Sequence, residues 1–513
     1  MPESSQFPQQ LQYPTQTPFG APDAGSDVLP RPPFETTELP AQALLATDDG
    51  DPVARILVGR MGSGKTRHLI ELRDRLAAEG LCDIAPMESD LPSLTNVTRL
   101  ADDLSTDPVE RAEVWSKIWE RAIIRSALSW TDANVPSRSI YGEFGRILQE
   151  HSTVSQIRSL LRDDSWEQVY DEFEQKMHVR QRPLCFFLDM VEDNSARSPL
   201  YWLWCQQGLV SEVLKLSTNS MLADNLRIHV AIRDQTWVEL KKRATPILEM
   251  HPRVRVLRWD ARLILDFLAR KLERLPESFF MRGANETEDP KALIAAWLGT
   301  ATVKNLARGI DEDIALYLLR HTRLIPRDVV TLGNLLTRTT FAARNRGATE
   351  LADEEIRAAV AESARISAAE ELQWCGLEIV STQLAEKHNR SLSARKKILP
   401  DEDAAVRATE QLIQLLRSCE KDVMTIERFR AFGDDAREQF AIHSRFGPLL
   451  WRHGLIGWGE DLDGPFRFSL SGSAEAPPDG MEYVALHPFL IDAVGVAPAT
   501  ATPVIPFAQE SIV

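Results

Sequence analysis

The chain has 513 residues, of which 43% are hydrophobic, and a formal net charge of −16. This length exceeds what one compact core supports, so roughly two to four domains are expected. The charge disfavours broad, non-specific binding to nucleic acid, because a polyanion is repelled unless a local basic face exists. No run of about 18 apolar residues and no secretory signal is apparent, which predicts a soluble, cytoplasmic protein that does not enter a membrane.

The five cysteines are scattered and form no Cys-x-x-Cys pair: they are Cys82, Cys185, Cys205, Cys375 and Cys419. Their distribution indicates neither a zinc site nor a disulfide framework. We expect buried free thiols in a reducing compartment.

Residues 1–50 are rich in Pro, Gln, Thr, Ser and Ala, which predicts a disordered leader. The apolar run Val53 to Val58 then predicts a strand, and Thr66 to Glu79 has the apolar spacing of a helix. Between them stands GRMGSGKT, Gly59 to Thr66, which fits the pattern G-x-x-x-x-G-K-[ST] at every fixed position.

Each residue type in this pattern serves phosphate binding. Glycines allow positive φ angles, so that successive backbone N–H groups point inward at a phosphate, and the following helix directs its positive end at the same anion. Lys65 is expected to reach the β- and γ-phosphates, and the Thr66 hydroxyl to bind Mg²⁺. The residues predicted to hold the nucleotide are Gly59, Arg60, Met61, Gly62, Ser63, Gly64, Lys65 and Thr66.

A mostly helical insertion follows, and then the apolar run Leu184 to Leu188 predicts a buried strand that ends at Asp189. Further predicted elements are a helix at Leu200 to Leu216, a strand at Arg227 to Ile232, a helix at Thr236 to Met250 and a strand at Arg253 to Leu257. Strands that alternate with helices indicate an α/β architecture with a mainly parallel sheet.

Asp189 stands where a metal-orienting carboxylate is expected, and its predicted role is to hold Mg²⁺ through water. Glu192 and Asp193 follow closely, and either is a candidate to polarise the attacking water. Met190 directly follows Asp189 where a second acid is usual, so the choice between the two stays open. The same residues also fit a strand end followed by acids that favour a helix start.

Arg233 follows the strand Arg227 to Ile232. Ligands of open α/β sheets bind at the carboxyl ends of strands. Arg233 is therefore a candidate sensor of the γ-phosphate, and the alternative is an exposed arginine that begins a loop.

These motifs resemble the bacterial STAND and AAA+ branch of P-loop ATPases. The resemblance rests on GRMGSGKT, LCFFLDMVED, LRIHVAIRD and RVLRWD, and extends to YLLRHTRLIPRDVVTLGNLL. It implies bound ATP and Mg²⁺, hydrolysis of ATP, and a helical lid over the nucleotide. Pro326-Arg327-Asp328 is similar to the start of a lid helix in that branch, which implies a γ-phosphate contact for Arg327. An ordinary helix start is the alternative.

The sequence from Asp260 to about Arg430 predicts almost only helices. From Phe440 to Val494 it resembles a winged-helix domain, with a recognition-type helix at Phe446 to Leu455 and wing strands at Phe466 to Leu470 and Tyr483 to Leu486. Acidic residues surround the wing loop, which favours protein contact or intramolecular docking over DNA binding.

The expected fold is thus an α/β P-loop NTPase with additional helical and winged-helix-like parts. The predicted segments are a disordered leader (1–50), a P-loop NTPase core (51–259), a helical lid (260–340), a helical region (341–435), a winged-helix-like domain (436–496) and a disordered tail (497–513). The leading hypothesis is an ATP-driven regulatory switch that contacts a protein partner, or itself, through its lid and C-terminal region. A DNA-associated ATPase and a nucleotide-binding scaffold with little turnover are the alternatives.

Overall fold

Three large hydrophobic cores follow one another along the described part of the chain. A computed structural model describes residues 17–22, 54–85, 108–131, 140, 143–144, 146, 153–189, 199–222, 224–234, 237–238, 240, 253–283, 289–390, 403–443, 446–463, 465–469, 481–500 and 502–507. The first core surrounds a parallel sheet, the second is mainly helical, and the third contains a smaller antiparallel sheet.

The parallel sheet has five strands in the order β2-β3-β4-β1-β5. They are β1 (Ala54–Val58), β2 (Asp83–Ile84), β3 (Leu184–Leu188), β4 (Leu226–Ile232) and β5 (Val254–Val256). Because β1 lies between β4 and β5, the glycine-rich loop leaves the middle of the sheet, and Asp189 leaves a strand two positions away. The α/β prediction with a mainly parallel sheet is confirmed.

Helices cover both faces of this sheet, which explains why most residues of β1, β3 and β4 are apolar. On one face lies α1 (Lys65–Ala78), with Leu69, Leu72 and Leu76 turned inward. The helices of the first core are α2 (Pro108–Thr131), α3 (Val154–Leu161), α4 (Ser165–His178) and α5 (Pro199–Thr218). Most of the predicted helix Thr236 to Met250 lies outside the described residues.

The second core follows β5. Its elements are α6 (Ala261–Glu273), a 3₁₀ turn (Glu277–Phe279), α7 (Pro290–Leu298), β6 (Thr302–Asn305), β7 (Ile310–Asp313), α8 (Ile314–Arg320) and α9 (Pro326–Asn345). Local chemistry sets several boundaries: Asp260 caps α6 by accepting from the Leu263 N–H, and Gly299 ends α7 with φ +80°.

The antiparallel pair of β6 and β7 contradicts the prediction of an almost wholly helical region from Asp260 to Arg430. The segments TVKN and IDED are mostly polar and only four residues long. Segments of this length are too short for a period of two to be distinguished from a helical pattern. Gly309, at φ +70°, supplies the left-handed residue that the connecting turn requires.

The long helix α10 (Asp353–Arg390) runs from the second core into the third. The third core continues with α11 (Ala404–Arg417), β8 (Val423–Thr425), α12 (Ile426–Phe440), α13 (Phe446–Arg452), β9 (Ile456–Gly459), β10 (Arg467–Phe468), β11 (Tyr483–Leu486) and α14 (Pro488–Val494). Its sheet is antiparallel and has the order β10-β9-β11-β8.

Two details of the predicted C-terminal domain are wrong. The helix that begins at Phe446 ends at Arg452, before the predicted Leu455. The two predicted wing strands do not pair with each other, because β9 lies between them. Gly457 and Gly459 both lie in β9, where the rings of Phe468 and Phe466 fill the space that a side chain would take.

The prediction of a disordered leader is wrong for residues 17–22. Phe19 is 1% exposed and belongs to the second core, where it contacts Trp297 and Gly333. The Asn334 side chain accepts from the Phe19 N–H at 2.8 Å and donates to the Gly20 carbonyl at 2.9 Å. One aromatic anchor in a polar segment leaves no trace in composition, which is why the sequence did not reveal it.

The prediction of a disordered tail is wrong for the described residues after 496. Ala497 pairs with Lys421, Val504 is buried, and Phe507 packs against the second core. Arg308, from the turn between β6 and β7, donates to the Thr502 carbonyl at 2.6 Å. These contacts join residues 497–507 to the second and third cores.

The five cysteines are all buried free thiols, as predicted. Among the described residues, no helix combines the length and the apolar character that crossing a membrane requires.

Candidate nucleotide-binding site

The glycine-rich loop connects β1 to α1 at the carboxyl edge of the sheet. Backbone bonds fix its start, since the Gly59 N–H donates to the Ile232 carbonyl at 3.2 Å and the Leu257 N–H to the Val58 carbonyl at 2.8 Å. Gly62 and Gly64 have φ angles of +80° and +94°, which is the left-handed region that favours glycine. The loop therefore has the backbone conformation that turns N–H groups toward a bound phosphate.

The loop is tightly folded on itself. The Trp259 indole N–H donates to the Ser63 carbonyl at 2.9 Å and ties the loop to the segment after β5. A Cβ on Gly59 would lie 2.5 Å from the Ser63 hydroxyl oxygen, so this position accepts only glycine without rearrangement. These contacts fix the shape of the loop.

Lys65 is buried and bonds to its own loop. Its Nζ donates to the Gly59 carbonyl at 2.8 Å and to the Arg60 carbonyl at 2.9 Å. The ammonium group is thus held inside the glycine-rich loop by two neutral carbonyl groups. Thr66 follows in the first turn of α1, at the positive end of the helix.

Asp189 follows β3 at the same edge of the sheet and is largely buried. A hydroxyl from Thr66 and a carboxylate from Asp189 are the oxygen donors that Mg²⁺ prefers, so the residues present fit that ion. The two candidate water-polarising acids, Glu192 and Asp193, lie outside the described residues.

Arg233, which follows β4, points toward the loop. Its guanidinium lies 3.5 Å from the ring centroid of Trp374 on α10, and its Nη2 lies 3.3 Å from Sδ of Met61 in the loop. Stacking on an aromatic ring holds a guanidinium in a defined orientation. The predicted sensor is therefore next to the loop, and the long helix positions it.

Arg327 contacts the loop through its backbone. Its N–H donates to the Gly62 carbonyl at 3.2 Å, and a Cβ on Gly62 would lie 2.7 Å from the Arg327 Cβ. The Arg327 side chain turns toward α10, where Nη1 donates to Glu370 Oε1 at 2.6 Å. The start of α9 is thus against the glycine-rich loop, and the guanidinium is engaged with the long helix.

Arg60 reaches from the loop to the third core. Its Nη2 donates to the carbonyls of Arg452 and Ser469, each at 3.1 Å, and its Nε lies 3.6 Å from Asp234 Oδ2. Arg60 occupies an unconstrained position of the loop pattern, so the sequence identified it only as a loop residue. The partners are 392 and 409 residues away, and no local signal predicts such a contact.

Arg323, which is buried and precedes α9, joins the start of α9 to α10. Its guanidinium lies 2.7 Å from Asp328 Oδ1, 2.7 Å from Glu371 Oε2 and 2.8 Å from Glu370 Oε2. Burial opposes the charged form, but the adjacent carboxylate of Asp328 and those of the two glutamates raise the pKa of Arg323 above its ordinary value.

His453 continues this ionic network into the third core. It is 1% exposed, with Nδ1 at 2.7 Å from Glu371 Oε1 and Nε2 at 2.8 Å from Glu378 Oε2. Burial would lower the pKa of His453, but its hydrogen bonds to Glu371 and Glu378 raise it to about 9. Burial likewise opposes ionisation of Glu378, yet Arg452 and His453 lower its pKa to about 2. A charged imidazole therefore holds α13 against α10.

A strand, the glycine-rich loop and a helix on a parallel sheet define a P-loop NTPase fold. No protein-family model and no curated protein matches the chain. Among solved structures, it is similar to Cdc6p from Pyrobaculum aerophilum, with 12% identity and a TM-score of 0.31 over 86% of each chain. It is also similar to the Aeropyrum pernix ORC2 protein in its ADPNP-ADP complexes, with 14% identity and a TM-score of 0.35 over 88% of this chain and 89% of that chain.

Proposed function

We propose that the chain is an ATP-binding and ATP-hydrolysing regulatory switch of the STAND or AAA+ type, whose nucleotide state controls the contacts of its C-terminal region. The observation that carries this proposal is that the glycine-rich loop bonds to two other parts of the chain at once. The Gly62 carbonyl accepts from the Arg327 N–H, and the Arg60 side chain donates to the carbonyls of Arg452 and Ser469. A change in the loop therefore acts on the lid and on the third core together.

Lys65 is the side chain through which phosphate binding would act. It donates to the Arg60 carbonyl, while the Arg60 side chain holds the third core. Phosphate oxygens would draw the ammonium group away from that carbonyl, because charge-assisted bonds to phosphate are stronger than bonds to a neutral carbonyl. Release of the carbonyl would free the backbone of Arg60 to turn and would weaken its grip on the third core.

The remaining site residues have the following proposed roles. Thr66 and Asp189 would hold Mg²⁺, and the ion, when bound, would neutralise negative charge on the phosphate oxygens. Glu192 or Asp193 would orient the attacking water. Arg233, held by Trp374, would sense the γ-phosphate.

Arg327 is a second proposed sensor. Its guanidinium would have to leave Glu370 in order to reach the nucleotide. Exchange of this ion pair for a phosphate contact would couple the nucleotide state to α10, which continues into the third core.

The domain boundaries are proposed as predicted, with one extension. The third core contains Ala364 to Val380 of α10 together with α11, which favours grouping these with the winged-helix-like domain at 436–496. A protein partner or a second copy of the chain would bind through this region and the lid, in the cytoplasm.

The test is phosphate release from MgATP by the full-length protein, compared with Lys65→Ala and with Arg73→Ala as the matched control. Arg73 lies on α1 and pairs with its exposed neighbour Asp74. We expect turnover by the wild type and by Arg73→Ala, and a loss of about 100-fold or more in Lys65→Ala. Failure of the wild type to bind ATP would overturn the proposal.

Addition of duplex DNA to the same assay separates the two functional classes. A regulatory switch with protein contacts predicts turnover that DNA leaves unchanged. Strong stimulation by DNA would favour the DNA-associated ATPase instead. Tight binding of ATP without phosphate release would favour the scaffold.

A further inference from the structure

Two of the five cysteines lie next to each other at one side of the parallel sheet. Cys82 directly precedes β2, and Cys185 is the second residue of the neighbouring strand β3. The register pairs Ile84 with Cys185, and every second residue of a strand shares one face, so Cys82 is on the same face as Cys185. Both side chains belong to the small apolar cluster that α1 covers, and a hydrogen bond joins their thiol groups.

The position of Cys82 allows the two sulfur atoms to be bridged. An ideal extension of β2 would place the two Cα atoms about 8 Å apart, slightly beyond the limit of about 7 Å for a disulfide. The chain bends at Cys82 instead of continuing the strand, and the two thiol groups are already in contact. Among the described strands β2 pairs only with β3, so a shift of about 1–2 Å at Cys82 leaves the rest of the sheet in place.

The two thiols have different environments. The hydrogen bond from Cys185 lowers the pKa of Cys82, and the guanidinium of Arg227 adds to this effect, against the opposing effects of burial and Asp83. The same hydrogen bond, together with burial, raises the pKa of Cys185. Cys82 is 6% exposed and follows the exposed Leu81, whereas Cys185 is 0% exposed. Cys82 is therefore the thiol that reacts first with a reagent in solution.

We propose that Cys82 and Cys185 are a redox-active pair, which a small-molecule disulfide oxidises reversibly to an internal disulfide. The Cys82 thiolate attacks one sulfur of the small molecule, forms a mixed disulfide and releases a first thiolate. The Cys185 thiol then gives up its proton and attacks Cys82 Sγ, which forms the internal bond and releases a second thiolate. The two protons lost by the protein are taken up by the released thiolates, so one small-molecule disulfide is reduced to two thiols.

The internal bond would close the base of the helical insertion. The segment between Cys82 and Cys185 contains α2, α3 and α4. A disulfide around so long a segment holds its two ends together and restricts the unfolded chain. Neither thiol belongs to the glycine-rich loop, so the inference does not depend on the function proposed for the nucleotide site.

The test is incubation of the reduced, folded, full-length protein with oxidised glutathione, followed by alkylation of the remaining thiols in denaturant and mass spectrometry. We expect two of the five cysteines to escape alkylation, and a non-reduced digest to contain the peptide pair that joins Cys82 to Cys185. Dithiothreitol should restore both thiols. Cys185→Ser should retain one glutathione on Cys82, because the second attack is missing, and Cys82→Ser should keep its remaining cysteines reduced.

The matched control is Cys375→Ser, because Cys375 is a buried thiol of α10 in the third core. This variant should form the same internal bond at the wild-type rate, and circular dichroism should show that all variants are folded. In wild type, Cys82 should lose its thiol at least about tenfold faster than Cys375.

Three results would refute the pair. Full alkylation of all five cysteines after treatment would show that no bond forms. Similar rates of thiol loss at Cys82 and Cys375 would show that both react only after unfolding. A stable glutathione adduct on Cys82 of the wild type, without the internal bond, would show that Cys185 does not reach it.

Discussion

Gly62 is the point at which the start of α9 contacts the glycine-rich loop, and Gly62→Ala should disrupt this contact. Gly62 has φ +80°, and an added Cβ would lie 2.7 Å from the Arg327 Cβ. A left-handed conformation costs a residue with a Cβ about 1–2 kcal/mol. Displacement of the start of α9 adds about 1–3 kcal/mol. Gly62→Ala should therefore lower the free energy of unfolding by about 2–5 kcal/mol. It should also weaken nucleotide binding.

Gly347 serves as a control that separates the backbone contribution from the contribution of the contact with α9. It has φ +83°, and an added Cβ there would meet nothing within 4 Å. Gly347→Ala should therefore lose only the backbone contribution and keep its nucleotide affinity. Calorimetric melting temperatures and titration with a fluorescent ATP analogue, applied to wild type and both variants, give the comparison. Equal losses of stability and of nucleotide affinity in the two variants would show that the contact between α9 and Gly62 contributes nothing.

Three further predictions concern the contacts around the site. Because the pKa of His453 is raised from 6.5 to about 9, the stabilising contribution of the charged imidazole is complete below pH 6.5 and is lost as the pH rises through 9. Between pH 6.5 and 9, the melting temperature should therefore fall more steeply in wild type than in His453→Gln. Phe19→Ala should lower the free energy of unfolding, measured by chemical denaturation, by about 3–5 kcal/mol. Leu306, which is 63% exposed, is the control, and Leu306→Ala should lower it by less than about 0.5 kcal/mol. Similar small losses in both variants would contradict the burial of Phe19. Arg308→Ala leaves the buried carboxylate of Asp422 without its ion pair and should cost about 3–5 kcal/mol, whereas the double variant with Asp422→Ala should lose clearly less than the sum of the single variants.

The parts of the fold that the sequence predicted are those with strong local patterns. The strand Leu184–Leu188 was predicted to the residue, because an unbroken apolar run begins after Pro183 and ends at Asp189. The glycine-rich loop was identified because phosphate binding restricts residue types at fixed spacing. Both features depend only on neighbours in the chain.

The parts that the sequence did not predict depend on contacts between distant residues. Arg60 bonds to carbonyl groups, and a carbonyl is present at every residue, so no pattern marks its partners. The glutamates beside His453 look like ordinary surface charges of a long helix until α13 packs on them. The side chains that join the site to the third core are therefore invisible to periodicity and motif analysis.

The two ends of the chain have a consequence for synthesis. Phe19 and Phe507 both contribute to the second hydrophobic core, although almost the whole chain separates them. The last strand of the parallel sheet ends at Val256, so the sheet can assemble while the ribosome is still translating the remainder. The second core stays incomplete until residue 507 has left the exit tunnel. A nascent chain is thus expected to complete its parallel sheet and its glycine-rich loop well before its second hydrophobic core.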